Sequence, residues 1–467
     1  MSELENVTRE GHQQGGGQII SLDGTDWQLG KAADDGGLPD TGWFPASVPG
    51  NVQADLEAAH CLKPLWYGAG DARLHEAAQH AWWYRKSFFV PAHWAGKRLT
   101  LAFEGVDFSC TVWLNGHELG SHAGMFRPFT LDAGPHVRLG RDNELAVRID
   151  PAPAELLACL AESDGAMSGG GPEYPANPGP HFFVNGINRM RQLLGDLKSP
   201  TNFGWDWGPT VVTAGLWRPV LLESWAVARL DHVRPVADWD GRRGTFSVTG
   251  VIVRDSTTPT NVLVEVEVAG TTVGLDVGAT ESSFSLTLTD LPVDPWSPRG
   301  HGDQALYAVS VRLWAGPDLL DEVHTRTGFR RAELRTSDAL GGEGFEIVVN
   351  GSVVQVRGVN WIPEDCFPSL LTRSRYAARL DDALDAGCNL VRVWGGGIYE
   401  DDAFYDLCDE RGLLVWQDFP FACAAYPEEE PFRAEVTAEA ADNVERLMAH
   451  PSPVSYTHLT LPTKRIV

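Results

Sequence analysis

The stretch NLVRVWGGGIYE at residues 389–400 decides the fold of the C-terminal third of this chain. Its first half is apolar and β-branched, which predicts a short buried strand at 389–394. A helical pattern precedes it at 373–386 and another follows at 401–411. A strand enclosed between two helices is typical of a β/α unit with a parallel sheet.

The alternation of strand and helix continues on both sides of this stretch. Strands are predicted at 351–360 and 413–416, and a helix at 434–450. Gly387 and Gly412 each follow a predicted helix directly, where left-handed C-cap geometry favours glycine. The pattern therefore predicts a run of β/α units rather than a single one.

Residues 336–454 hold three such units, whereas an eight-stranded barrel takes about 250 residues. We therefore expect this region to form the first three units of an incomplete (β/α)8 TIM barrel. The final stretch, 455–467, is rich in Thr, contains Lys464 and Arg465 and has no acid, unlike the helix before it. We interpret it as a tail that is foreign to the rest of the chain.

The region before residue 336 predicts two β-sandwiches. Residues 19–224 show short strand-like runs between Gly, Pro and Asp turn signals, as in a jelly roll, with an occasional helical patch such as 52–59. Residues 225–335 suit an immunoglobulin-like sandwich of about 100 residues. Residues 1–18 are interpreted as a disordered leader.

Two local patterns support the sandwiches, and a third leaves its element open. The pair Asn115-Gly116 supplies the positive φ angles that a two-residue hairpin needs. In 261–268, valines alternate with Leu, Glu and Glu, which predicts a strand with one buried face. Residues 305–311 fit a strand and a helical turn equally well.

Composition excludes several classes of function. Hydrophobic residues make up 43% and charged residues 21% of the 467 residues, an ordinary globular composition. No apolar run approaches the roughly 18 to 20 residues of a membrane span. The formal net charge of -26 repels phosphate backbones and anionic lipids, so nucleic-acid and membrane partners are disfavoured. A neutral small substrate is favoured instead.

Cofactor and metal signatures are not recognisable in the sequence. The seven cysteines are scattered singly and are odd in number, which predicts reduced thiols and a cytoplasmic location. The histidines show no HExxH or similar ligand spacing. No Lys-Ser or Lys-Thr follows the three glycines at 395–397, so a phosphate cradle is not expected. We therefore expect neither a metal nor a cofactor.

The segment NFGWDWGP at residues 202–209 is the strongest candidate for ligand binding. Indole faces match the apolar C–H face of a sugar ring, and a carboxylate between them can accept hydrogen bonds from sugar hydroxyls. This predicts that Trp205, Asp206 and Trp207 bind a carbohydrate. The alternative is a turn at the sandwich rim with aromatic packing, and most of the 17 tryptophans in the chain are expected to fill cores.

Several motifs together resemble glycoside hydrolase family 2, and in particular its β-mannosidases. NFGWDWGP is similar to the loop with which these enzymes read sugar hydroxyls. FEGVD, VWLNG and GMFRPF, at 103–107, 112–116 and 124–129, resemble the family's N-terminal sugar-binding jelly roll. RGVNWIP, NLVRVWGGGIYE and LVWQDFPFAC, beginning at Arg357, Asn389 and Leu414, resemble the ends of its first three barrel strands.

The resemblance implies a retaining β-mannosidase that hydrolyses terminal non-reducing β-D-mannose residues of an oligosaccharide or glycoside. Trp394 is expected to form the floor or wall of the sugar pocket, and 395–397 either approach the ligand closely or form a tight βα turn. Asn360 and Asp418 either contact sugar or hold loops together. A β-galactosidase, β-glucuronidase or exo-glucosaminidase specificity, a non-catalytic carbohydrate-binding fragment and a homodimeric assembly stay open.

The catalytic carboxyl groups are expected beyond Val454. Retaining glycosidases need two of them about 5 to 5.5 Å apart, as nucleophile and as acid/base. The resemblance places both on later barrel strands, after the turn His450-Pro451-Ser452. The acids near the predicted strand ends have no independent claim to either role; these are Glu364, Asp365, Glu400, Asp401 and Asp418. The chain by itself is therefore expected to be inactive.

Overall fold

The computed structural model describes residues 17–61, 77–151, 198–205, 207–255, 260–337, 343–422, 430 and 432–457. They form two antiparallel β-sandwiches followed by a parallel β/α unit. This architecture agrees with the expected succession of fold types. Residues 1–16 of the expected leader and 458–467 of the expected tail lie outside the described residues.

The first sandwich packs a six-stranded sheet, ordered β3-β2-β4-β9-β6-β7, on a four-stranded sheet, ordered β1-β12-β5-β8. Their facing side chains form one core around Trp27, Tyr84 and Trp94. A separate two-stranded hairpin, β10-β11, projects from this unit. The elements are β1 (Gln18–Ser21), β2 (Gly24–Lys31), β3 (Phe44–Val48), α1 (Val52–Ala58), β4 (Trp82–Val90), β5 (Arg98–Phe103), β6 (Ser109–Leu114), β7 (His117–Ala123), β8 (Phe129–Asp132), β9 (Arg141–Ile149), β10 (Phe203–Trp205), β11 (Gly208–Thr210) and β12 (Val220–Trp225).

The predicted Asn-Gly turn lies between β6 and β7. Asn115 and Gly116 have φ angles of 53° and 83°. Leu114 pairs with His117 across the turn, so the hairpin has the two-residue loop that the dipeptide predicts. The sequence expectation is confirmed here because a positive φ at both positions is a local property of these two residue types.

The second sandwich packs the sheet β13-β14-β17 on the sheet β16-β15-β18-β19. Along β15 the four valines are buried and the residues between them are partly exposed, which confirms the predicted alternation. The ambiguous stretch 305–311 becomes strand from Tyr307 onward. The strands are β13 (Ala228–Trp239), β14 (Gly244–Arg254), β15 (Val262–Val268), β16 (Thr271–Val277), β17 (Ser283–Leu291), β18 (Tyr307–Ala315) and β19 (Asp318–Thr327).

The third unit joins a three-stranded antiparallel sheet, β20-β21-β22, to a four-stranded parallel sheet, β23-β24-β25-β26. Helices α2, α3 and α4 connect the parallel strands, which is compatible with part of a (β/α)8 barrel; the barrel itself stays a prediction. The elements are β20 (Ala332–Ser337), β21 (Glu343–Val349), β22 (Ser352–Val354), β23 (Gly358–Trp361), α2 (Arg373–Asp385), β24 (Leu390–Val393), α3 (Asp402–Arg411), β25 (Leu414–Asp418), α4 (Phe432–Leu447) and β26 (Pro453–Thr457).

Two boundaries of the third unit differ from the sequence expectation. The single strand expected at 351–360 is two strands, because β22 turns back at Asn350 and Gly351 to pair with β21, whereas β23 pairs in parallel with β24. A fourth parallel strand, β26, pairs with β25 and crosses the boundary expected at residue 454. Both features depend on which strand lies alongside, and no short window of sequence contains that information.

The ends of the connecting helices follow local rules. The Thr372 side chain accepts a hydrogen bond from the Arg375 amide at the start of α2, and the Asp401 side chain accepts one from the Ala403 amide at the start of α3. Gly412 ends α3 with a left-handed φ of 69°. The described residues contain no helix long and apolar enough to cross a membrane.

Glu400, in the loop after β24, is a buried carboxyl group that ties α2 to the parallel sheet. The Trp361 indole nitrogen donates to its Oε1 at 2.9 Å, and the Tyr376 hydroxyl donates to its Oε2 at 2.6 Å. The residue has no exposed surface. Burial raises the pKa of Glu400 to about 7, although both donors act in the opposite direction.

We predict that Glu400→Gln flattens the pH dependence of thermal stability. Because the folded-state pKa lies above the ordinary 4.5, the protonated group stabilises the fold fully below that pH, and this stabilisation is lost as the pH rises through about 7. Between acidic and mildly alkaline pH, the free energy of unfolding of the variant should rise by up to about 3 kcal/mol relative to that of the wild type. Calorimetric melting over this range measures the change. Glu118→Gln, at an exposed position, is the control, and parallel curves for wild type and Glu400→Gln would contradict the prediction.

Candidate active site

The register of the parallel strands brings three of their side chains side by side. Asn360 pairs with Arg392, and Arg392 pairs with Trp416. Since side chains alternate across a strand, these three lie on the face opposite Trp361 and Val393, which pack in the core beneath the helices. The helix-free face of the sheet therefore presents an amide, a guanidinium group and an indole in one row.

Arg392 joins the ends of three neighbouring strands. It contacts Asp418 through Nη2–Oδ2 at 2.6 Å and Nε–Oδ1 at 3.3 Å, and its Nη1 donates to Asn360 Oδ1 at 3.0 Å. The Gly395 amide also donates to Asp418 Oδ2, at 3.2 Å. A bidentate pair of this kind fixes direction as well as distance.

These contacts bear on the two roles considered for Asn360 and Asp418. Asp418 is 1% exposed and holds Arg392 and the loop after β24, so the loop-holding role accounts for its observed partners. Asn360 is exposed, and its contact with a sugar stays a prediction. Arg392 is not among the residues that the sequence motifs predict. An isolated cation within an apolar strand is nevertheless a usable signal, because charged residues are seldom buried unless paired.

The three glycines after Trp394 are required by their protein neighbours. A Cβ atom at Gly395 would lie 2.4 Å from the Phe419 carbonyl oxygen, and one at Gly397 would lie 2.9 Å from the Pro363 ring. At Gly396 it would lie 1.9 Å from the indole of Trp394. The Trp394 ring thus packs directly on the backbone of Gly396. Of the two interpretations given for this segment, the tight βα turn accounts for these contacts.

The hairpin β10-β11 lies against Trp394. Its strands pair Phe203 with Thr210 and Trp205 with Gly208. The ring centroid of Trp205 lies 4.7 Å from that of Trp394 at 75°, and that of Trp207 lies 5.7 Å away at 66°. The first sandwich therefore reaches the strand ends of the third unit. Asp206 falls outside the described residues, so its contact with a sugar stays a prediction.

Backbone contacts attach the segment before the hairpin to the glycine turn. Ser199 Oγ donates to the Gly397 carbonyl at 2.9 Å, and the Thr201 amide donates to the Gly396 carbonyl at 3.0 Å. Beside the hairpin lies an open pocket. Its lining includes Asn202, Trp205, Trp207, Asp365, Cys366 and Pro368.

The GMFRPF segment forms a second contact between the first sandwich and the β/α unit. Met125 and Phe126 share an apolar cluster with Trp217, Ile398 and Tyr399. Beside this cluster, Arg127 forms ion pairs with two acidic residues of α4, at 2.7 Å to Glu435 and 3.2 Å to Asp442. The sequence placed this segment in the jelly roll but contained no signal for its docking role, because its partners lie about 300 residues away.

The other acids near the strand ends are held by protein groups. Arg379 contacts Glu364 at 2.9 Å, and Arg375 contacts Asp365 at 2.9 Å. As described above, Glu400 is buried, Asp401 caps α3 and Asp418 pairs with Arg392. The tryptophans of the site can therefore pack on the apolar face of a ring, and its polar groups can form hydrogen bonds with hydroxyl groups. The five acids near the strand ends are held in ion pairs, a helix cap or a buried hydrogen-bond network.

Family models match both sandwiches. A model described as "Glycosyl hydrolase 2 galactose-binding domain-like" matches residues 27–218, and one described as "Glycosyl hydrolases family 2" matches residues 228–330.

Two curated relatives illustrate the similarity. β-Mannosidase B of Thermothelomyces thermophilus is 34% identical over 93% of this chain and 49% of its own length. The β-mannosidase of Rattus norvegicus is 30% identical over 89% of this chain and 47% of its own length. The chain thus spans about half the length of the curated relatives it matches.

Two solved structures are similar to the chain. The β-D-mannosidase of Dictyoglomus thermophilum is similar with a TM-score of 0.80 and 32% identity, over 94% of this chain and 52% of that one. The exo-chitosanase of Amycolatopsis orientalis shares the fold with a TM-score of 0.72 and 22% identity, over 94% of this chain and 49% of that one. The two family models and the similar β-mannosidases point to the same family, and the position of the tryptophan hairpin against the strand ends is consistent with it. The chain belongs to glycoside hydrolase family 2.

Proposed function

We propose that this chain forms the mannose-binding part of a retaining β-mannosidase, which hydrolyses terminal non-reducing β-D-mannosyl residues. The observation that carries the proposal is the seating of Trp205 and Trp207 against Trp394 at the ends of the parallel strands. The names of the similar proteins support mannose over other sugars. The proposed substrate is a neutral mannose-containing oligosaccharide or glycoside, which suits a chain of net charge -26.

Aromatic and polar side chains at this site are proposed to make different contacts with the sugar. Trp207 is 47% exposed and offers an indole face to the apolar side of a pyranose ring. Asp206, which stands between Trp205 and Trp207 in the sequence, is proposed to accept hydrogen bonds from neighbouring hydroxyls. Asn360 and Arg392 extend the polar part of the site along the strand ends. Aromatic packing and hydroxyl recognition together would orient the sugar whose glycosidic bond is cleaved.

Cleavage with retention requires an acid that protonates the leaving oxygen and a carboxylate that forms the glycosyl-enzyme intermediate. The acids near the described strand ends are held in ion pairs, a helix cap and a buried hydrogen-bond network. We therefore propose that both catalytic groups are supplied from beyond Val454, and that residues 19–454 bind and orient the substrate.

We also propose a cytoplasmic location. Among the described residues, five cysteines carry free thiols, and Cys110 and Cys408 are buried. Burial raises the pKa of Cys110 to about 12, which keeps this thiol protonated and unreactive. Such thiols suit a reducing compartment.

The proposal predicts that this chain binds methyl β-mannoside without hydrolysing it. Tryptophan fluorescence should report saturable binding with a dissociation constant on the order of 1 mM, tighter than for the matching galactoside, glucuronide and glucosaminide. Nitrophenyl β-mannoside should release no nitrophenol above the uncatalysed rate. Tighter binding of the galactoside would replace the proposed specificity, and turnover by this chain would place the catalytic pair within it.

Trp207→Ala should weaken mannoside binding about tenfold, equal to about 1.4 kcal/mol, because it removes a stacking surface that is already half exposed. Its melting temperature should stay close to that of the wild type. Phe89→Ala removes an aromatic ring that is 54% exposed on the first sandwich and serves as the matched control. Equal loss of binding in the two variants would mean that the hairpin does not contact the sugar.

Gly396→Ala should displace the Trp394 indole, because the new methyl group would occupy its position. The displacement should change the near-ultraviolet circular dichroism and weaken mannoside binding at least about tenfold. Gly278→Ala, in the second sandwich, is the control, since the added Cβ would meet only the flexible Glu281 side chain, at 3.4 Å. An unchanged spectrum for Gly396→Ala would show that Trp394 is not constrained by this glycine.

A further inference from the structure

Lys198, which lies just before the tryptophan hairpin, has a fully engaged ammonium group in the interior of the protein. Its side chain is 1% exposed. The Nζ atom forms an ion pair with Asp107 and donates to the Thr213 carbonyl at 2.9 Å and to Thr213 Oγ1 at 3.2 Å. These three contacts match the three donors that a lysine possesses.

Thr213 completes the network around this ion pair. Its hydroxyl donates to Asp107 Oδ2 at 2.5 Å and accepts from Asn202 Nδ2 at 3.0 Å. Asn202 Nδ2 also donates to the Val211 carbonyl, and the Val211 amide donates back to the Asn202 carbonyl, both at 3.0 Å. Asn202 and Val211 flank β10 and β11, so the network closes the base of the hairpin.

The same short segment is attached on its other side to the β/α unit. Ser199 and Thr201 bond to the carbonyls of Gly397 and Gly396, the glycine on which Trp394 packs. Residues 198–202 therefore lie between the Asp107 loop of the sandwich and the glycine turn of the parallel sheet. A shift of this segment would move Trp205 and Trp207 relative to Trp394.

We propose that Asp107 and Lys198 are positioning residues, whose buried ion pair sets the place of the β10-β11 hairpin and thereby keeps Trp205 and Trp207 against Trp394. The consequence for sugar affinity rests on the proposed function, whereas the consequence for the indole positions does not. Neither side chain contacts the sugar in this proposal.

The chemistry of the pair suits positioning better than simple filling of the interior. Burial lowers the pKa of Lys198 and the nearby Asp107 charge opposes this, so the ammonium depends on its partner. A methionine could occupy similar volume, but it has no donors with which to orient Thr213 and Asp107. Replacing both members of a buried ion pair by apolar residues often preserves stability, while replacing one leaves an uncompensated charge. Stability and positioning can therefore be separated by variants.

The test uses the full 467-residue chain labelled with 5-fluorotryptophan. The fluorine resonances of Trp205, Trp207 and Trp394 are assigned from their Trp→Phe variants and compared in Lys198→Met and in the double variant Asp107→Leu with Lys198→Met. Thr213→Val, a nearly isosteric change, covers the case in which Lys198→Met does not fold. Lys86→Met is the matched control, because Lys86 is a buried, ion-paired lysine of the same sandwich, remote in sequence from the hairpin. Methyl β-mannoside binding and melting temperature are measured for each.

We expect Lys198→Met and Thr213→Val to move or broaden the resonances of Trp205 and Trp207, and to raise the mannoside dissociation constant at least about tenfold, equal to about 1.4 kcal/mol. The double variant should recover melting temperature without recovering the resonances or the affinity. Lys86→Met should lower melting temperature alone.

Three results would overturn the proposal: unmoved resonances in both Lys198→Met and Thr213→Val, recovery of resonances and affinity in the double variant, or an equal shift in Lys86→Met. If the wild-type chain binds no mannoside, the proposed function fails, and the fluorine resonances still decide whether Lys198 and Asp107 position the hairpin.

Discussion

The packing of the Trp394 indole on the backbone of Gly396 is the contact on which the rest of the site depends. Only a residue without a Cβ atom permits it, since an added methyl carbon would lie 1.9 Å from the ring. With the indole held there, Trp205 and Trp207 of the first sandwich meet it edge to face. Two units far apart in sequence thus share one aromatic surface, and its shape is set by a backbone contact.

Two buried ion pairs hold the segments next to this aromatic surface in place. Arg392 with Asp418 holds the ends of neighbouring parallel strands, and Lys198 with Asp107 closes the base of the hairpin. Both pairs lie where solvent is largely excluded, so each charge depends on its partner and on a small number of hydrogen bonds. Such pairs contribute directional constraint more than net stability. Such constraint is what the proposed sugar site requires.

The sequence predicted element types well where the information was local. The turn at Asn115 and Gly116 and the alternation along β15 both appeared as expected. The strand expected at 351–360 was wrong as a single element, because the chain changes partners from β21 to β24 within it. The fourth parallel strand, β26, extends past the boundary expected at residue 454 into the stretch interpreted as a tail, because its residues pair with β25.

The sequence by itself determined the succession of two sandwiches and a β/α unit, the positions that require glycine, and the tryptophan motif that suggests a sugar. These follow from hydrophobic period and backbone φ preferences, which act over a few residues. Only the tertiary structure decided that Asp418 is held by Arg392, that Lys198 meets Asp107 across 91 residues of chain, and that the hairpin faces Trp394. Such contacts between charged groups and between rings form only where segments distant in the sequence pack together, so no local pattern in the chain encodes those contacts.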